Sequence, residues 1–199
     1  MKKLLVITAV LCFLLQSCGG NSSFPTLSNA EDLIKAQSML QEKFSAYDGK
    51  LLSVYFSTDD KRNQTVDIIS VRFMKDAKEY NAVFTPFTEV MENESKVPFN
   101  EPVKEFSLSD IKLSDLSNAL GQATVQITEK DAKFSTFRVR TVSYETDSDS
   151  GQLEVTFDVI AKHPEKSYFG KRTRPDSDDF TFSFKLQNGN VVATSGLVL

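Results

Sequence analysis

Leu153-Glu154-Val155-Thr156-Phe157-Asp158-Val159-Ile160-Ala161 is the stretch that decides the fold. Leu153, Val155, Phe157 and Val159 alternate with Glu154, Thr156 and Asp158. That is the period of a strand with one face in a core and the other in water. Phe180, Phe182 and Phe184 repeat the alternation, and Gln187-Asn188-Gly189-Asn190 follows shortly after. Asn-Gly between two apolar runs predicts a tight hairpin, with 191–199 as the returning strand. Upstream, 134–144 reads as a further strand. The C-terminal part of the chain is therefore a series of antiparallel strands.

Working back toward the N-terminus, Leu116, Ala119, Leu120, Ala123 and Ile127 fall on one helical stripe. The segment 91–106 is mostly polar, contains Pro98 and Pro102, and shows no periodicity, which makes it the best linker. Before it, Leu52, Val54 and Phe56 share one face of a strand. Asp59-Asp60-Lys61-Arg62-Asn63 is a polar turn, and 66–74 and 79–87 read as two more strands. Ser28-Asn29-Ala30-Glu31 fits a capping box, with Ser28 as N-cap and Glu31 three residues on. Ala30, Leu33, Ile34, Leu40, Phe44 and Tyr47 continue it at helical spacing until Asp48-Gly49. The order is helix, three strands, linker, helix, four strands. It predicts an α+β fold, with antiparallel sheet packed on helices. The order suggests two tandem α-β-β-β units, 28–90 and 107–199. In element order alone the plan is similar to cystatin-like, PepSY-like and β-lactamase-inhibitor-like modules of exported bacterial proteins. No motif accompanies that similarity, and no functional residue is carried over from it.

The chain opens with Met1, Lys2-Lys3, an apolar run of about a dozen residues and then Leu15-Gln16-Ser17-Cys18. A spanning helix needs about 20 apolar residues, so this run has the length of an export-signal core. Leu15-Gln16-Ser17-Cys18 resembles the lipobox of bacterial lipoprotein precursors: an aliphatic residue at −3, a small residue at −1, then cysteine. Gln16 departs from the small residue commonest at −2. The resemblance implies removal of 1–17 and acylation of Cys18, with diacylglycerol on its sulfur and a further acyl group, such as palmitate, on its amine. Several chains on one residue anchor stably where one alone is marginal. Residues 18–27 then form a short tether. Gly19 at +2 and the lack of acidic residues beside Cys18 lead, by the same resemblance, to an outer-membrane anchor with the domain facing the periplasm.

Without the signal roughly 180 residues remain, enough for one domain or two small ones. Lys2 and Lys3 leave with the signal, so the side-chain charge moves from −4 to about −6. An acidic domain disfavours nucleic acid as a partner, since phosphate neutralisation needs clustered Lys and Arg. The two cysteines are Cys12 and Cys18. A mature chain has no thiol left for a disulfide, a cysteine nucleophile or a cysteine zinc site. There is no Trp but there are 16 Phe, which predicts a phenylalanine-rich core.

Little in the sequence points to catalysis. The single histidine, His163, precedes Pro164 and reads as an exposed loop residue, and no Gly-x-Ser-x-Gly elbow is present. Asp147-Ser148-Asp149-Ser150-Gly151 alternates oxygen ligands like the start of a calcium loop. A polar hairpin turn explains it better, because the twelfth position falls inside a strand. No metal site, no cofactor and no enzymatic activity are expected. Two sets of residues are candidates for binding. Arg138, Arg140 and Tyr144 share one face of a strand by simple alternation, and Arg and Tyr are enriched where proteins meet. Lys171, Arg172 and Arg174 form the one basic cluster, followed at once by Asp176, Asp178 and Asp179. The expectation is a non-enzymatic lipoprotein that binds an envelope protein or a peptide. The alternatives are a carrier of lipid or of a small apolar ligand and, after it, a hydrolase built on carboxylates.

Overall fold

The structure is a computed structural model. It describes residues 24–59, 64–96, 103–169 and 172–197, and of 165–169 and 172–177 the backbone only. Eight strands make one antiparallel sheet: β1 (Leu51–Thr58), β2 (Val66–Lys75), β3 (Lys78–Thr85), β4 (Thr88–Glu94), β5 (Ser135–Thr146), β6 (Leu153–Phe169), β7 (Arg172–Gln187) and β8 (Asn190–Ser195). Their order across the sheet is β4-β3-β2-β1-β5-β6-β7-β8. Among the described residues two helices, α1 (Ala30–Phe44) and α2 (Asp115–Lys130), and two single 3-10 turns accompany the sheet.

This overturns the expected α+β arrangement of antiparallel sheet packed on helices. The molecule is 50% strand and 25% helical, so the sheet dominates it. One sheet takes strands from both halves of the chain, because β1 pairs with β5: Val54 lies opposite Tyr144 and Phe56 opposite Val142. Each half carries a local helix-then-strands signal. The contact that merges them is between residues about ninety apart, where local periodicity has no reach.

The core lies on one side of the sheet. Val54 and Phe56, Val71 and Phe73, Val142 and Tyr144, Phe157 and Val159, Phe182 and Phe184 all point into it. Each helix adds one stripe, Leu33, Ala36, Leu40 and Phe44 from α1 and Leu116, Ala119, Ala123 and Ile127 from α2. The phenylalanine-rich core expected from composition is present, with Phe44, Phe56, Phe73, Phe157 and Phe184 among its largest buried side chains.

Local chemistry moves several boundaries. The N-cap of α1 is Asn29, whose side-chain oxygen accepts from the Asp32 N–H at 2.9 Å. Ser28 is used elsewhere, its Oγ accepting from the Val139 N–H at 3.1 Å. Met91 to Glu94, read as the start of a linker, belongs to β4. This edge strand is exposed almost throughout, so apolar periodicity does not mark it. The predicted Asn188-Gly189 hairpin is present, both residues having positive φ (50° and 79°) as the two-residue turn requires. Asp147 to Gly151 is also a turn. The Asp147 carboxylate accepts from the N–H and hydroxyl of Ser150, each at 2.7 Å.

Both edges of the sheet are guarded. At β8, the Val191 N–H donates to Gln122 Oε1 at 3.0 Å, and its carbonyl accepts from Gln126 Nε2 at 2.8 Å, so α2 satisfies the outward groups of this residue. At β4, Glu92 and Glu94 pair with Lys75 and Lys78, and charges on an edge oppose pairing with another sheet. β6 and β7 run on beyond the other strands. Their pairing extends from Lys162–Asp179 to Phe169–Arg172, where β5 has already ended opposite Lys162. At about 3.3 Å per residue, a two-stranded arm of roughly 20 Å leaves the sheet.

Candidate functional site

Sheet alternation sends every second residue away from the core, and in the central strands these residues make an open face. Tyr55 stands in the middle of one row. Ser70 lies opposite it on β2 and Ser143 opposite it on β5, and the row continues through Thr156 and Lys185. The next row runs Arg72, Ser53, Glu145, Glu154. On the other side run Ile68, Ser57, Thr141, Asp158 and Ser183, with a bulge in β5 between Val139 and Thr141. The face is thus a lattice of short hydroxyl side chains around one tyrosine, which is 38% exposed.

Its charges are mostly tied to one another. Arg72 pairs with Glu79 and Lys185 with Glu154. Asp158 accepts from the Thr141 hydroxyl at 2.9 Å, and the Ser70 hydroxyl donates to Asn81 at 2.7 Å. Glu145 differs: among the described residues its carboxylate has neither a hydrogen bond nor an ion pair. Burial raises its pKa, the Arg72 charge lowers it and the Glu154 charge raises it, with a net rise. Glu145 and Glu154 are directly opposite on neighbouring strands. They stand side by side on an open face, whereas acid–base hydrolysis sets two carboxyls on either side of a bond.

The sequence-predicted binding residues are scattered. The β5 bulge inserts an extra residue, so Arg138 and Arg140 fall out of phase with Val142 and Tyr144. Tyr144 is 2% exposed in the core, and burial, with the Asp115 charge second, pushes its hydroxyl far above the usual tyrosine range. Arg138 is 4% exposed. Its Nη2 donates to Asp179 at 2.9 Å, while Nε and Nη1 find no acceptor among the described residues. Arg140 is exposed. Arg172 and Arg174 are placed by their backbone, opposite Phe169 and Ser167 near the end of the arm. Lys171, like Cys18 and the rest of Leu15-Gln16-Ser17-Cys18, lies outside the described residues.

His163 is in strand β6, not in an exposed loop. It leans on Phe134 (centroids 4.8 Å apart), and its Nε2 lies 3.1 Å from Asp131 Oδ2. This contact ties the root of the arm to the end of α2. Among the described residues no group of three or more His, Cys, Asp or Glu could hold a metal ion, and no helix is long and apolar enough to cross a membrane.

Sequence reasoning missed Tyr55, Ser143 and Glu145. The signal was available in Ser53-Val54-Tyr55-Phe56-Ser57, where the residues between the core positions include an aromatic between two serines. What sequence could not show is that β5 brings Glu145 beside them. Among the described residues the surface hollows have mixed linings, and one of about 260 Å³ takes in Leu33, Ile34 and Ile111. One of about 480 Å³ is lined by Lys104, Glu105, Asp110 and Lys112 among others, and one of about 330 Å³ by Ser114, Asp115 and Asn118 among others. Comparison of the chain with protein-family models, with curated proteins and with solved structures yields no match in any of the three.

Proposed function

We propose that this chain is an exported lipoprotein, anchored through acyl chains on Cys18 to the outer membrane and facing the periplasm, which binds an envelope protein or a peptide without catalysing a reaction. The lipobox resemblance supports the anchor. The observation that supports binding is the open face, where Tyr55 stands among Ser53, Ser57, Ser70, Ser143 and Thr156 beside the Arg72, Glu145, Glu154 and Lys185 charges. Tyrosine supplies rigid contact area and short hydroxyls supply adaptable hydrogen bonds, the combination that antibody paratopes use. The guarded edges disfavour strand addition and favour use of the face.

A native mass spectrum of the full chain, gently extracted from its own membrane, tests this. A co-purifying polypeptide is expected, together with an acyl mass that disappears in Cys18→Ser. A bound lipid beyond the Cys18 acyl chains, with no polypeptide, would replace the binding reading with the carrier. Removal of the domain by protease added to intact cells would contradict the periplasmic orientation.

A further inference from the structure

On the reading that the open face receives a polypeptide, we infer that its central contact is a lysine or arginine side chain of the partner, held between the Glu145 carboxylate and the Tyr55 ring. Five carboxylates, Glu79, Glu145, Glu154, Asp158 and Asp179, share this face with the cations Arg72, Arg138, Lys162 and Lys185. Arg72 is engaged by Glu79, Lys185 by Glu154 and Arg138 by Asp179, and Asp158 holds a hydroxyl. Glu145 is the carboxylate left over, half-buried, near the Arg72 charge but with no hydrogen bond or ion pair among the described residues.

On the β1 side the residue opposite it is Ser53, whose side chain is short, with Arg72 beyond it on β2. Tyr55 is two residues further along β1 on the same face, the diagonal position, with Cα atoms roughly 7–8 Å apart. One ammonium or guanidinium can therefore meet both requirements. It lies within about 6 Å of an aromatic face and donates a charge-assisted hydrogen bond to a carboxylate. Ser53 and Ser143 on either side supply hydroxyls for the partner's main chain. A metal ion fits poorly, since one free carboxylate is far from the six or more oxygens a hard cation takes. Glu154 directly opposite Glu145 adds a second carboxylate that opposes an acidic partner or a nucleic acid at this point.

The test uses the full chain in detergent with its tyrosines carbon-13 labelled, and Tyr55 assigned by Tyr55→Phe. N-acetyl-lysine methylamide and N-acetyl-arginine methylamide should each move the Tyr55 ring signal saturably, and N-acetyl-glutamate methylamide should not. Glu145→Gln should weaken the response at least tenfold, while Glu129→Gln, on the exposed side of α2, leaves it unchanged. An unsaturable Tyr55 response, or one that survives Glu145→Gln, overturns the inference. The co-purifying polypeptide separates this from the reading beneath it. If the polypeptide is as abundant with Glu145→Gln as with the natural chain, the face binds but not through this contact. If none co-purifies with the natural chain, the reading falls and the inference with it.

Discussion

At Asp32 one carboxylate gathers the N–H and the hydroxyl of Thr26 (3.1 and 2.9 Å), the Asn29 side-chain amide (2.9 Å) and the Lys35 ammonium (3.0 Å). Burial alone would raise its pKa, but these donors together hold it well below the usual carboxylate range. A carboxyl depressed on folding contributes stability above its unfolded value of about 4, and that contribution disappears as pH falls through the folded value. Asp32→Asn is expected to cost about 1–2 kcal/mol at neutral pH, as loss of a charge-assisted cluster at a helix start does. It should also flatten the fall of the urea midpoint between pH 5 and 2. An unchanged acid slope would remove Asp32 from this role. In the core, Phe56→Ala should cost about 3–5 kcal/mol, read from the same midpoint, since Phe56 is fully buried. Both residues were partly legible in sequence. Phe56 fell on the right face by alternation. The start of α1 was read correctly but its cap was assigned one residue early, because Ser28 and Asn29 are equally good caps. Ser28 is drawn off by Val139, a partner more than a hundred residues away.

Among the elements, β8 depends on α2 in a way that can be measured amide by amide. Gln122 and Gln126 are the side chains that occupy the outward N–H and C=O of Val191. Gln122→Ala with Gln126→Ala should cost about 1–2 kcal/mol, accelerate hydrogen exchange at the Val191 amide and increase self-association at high concentration. Unchanged exchange at Val191 would mean that the glutamines do not guard this edge. Element type was readable where one face is dry, as in β1, β6, α1 and α2. It was not readable in β4, whose residues are exposed on both sides, nor in the arm. There 163–169 and 172–178 pair without the apolar alternation that a core would impose. The β5 bulge is the third gap. One extra residue between Val139 and Thr141 reverses which side chains face out, and that misplaced Tyr144 in the binding set.

For the whole molecule the deciding contact is the β1–β5 pairing, which sets Val54 and Phe56 against Tyr144 and Val142 and makes a single sheet from both halves. Residues 24–96 and 103–197 expressed separately are each expected to lack a cooperative thermal transition and to regain one on mixing. A sharp transition in either piece alone would show that it folds without the β1–β5 pairing. That same pairing assembles the open face, since Tyr55 comes from the first half and Ser143, Glu145 and Glu154 from the second. The most direct test of that face as the recognition surface is photocrosslinking in living cells. A photoreactive residue is placed at Thr156, within the Tyr55 row, or at Glu42, exposed on α1. The account predicts a discrete polypeptide adduct from Thr156 that is lost in Tyr55→Ala, and none from Glu42. Adducts from Glu42 alone, or a Thr156 adduct indifferent to Tyr55, would contradict it.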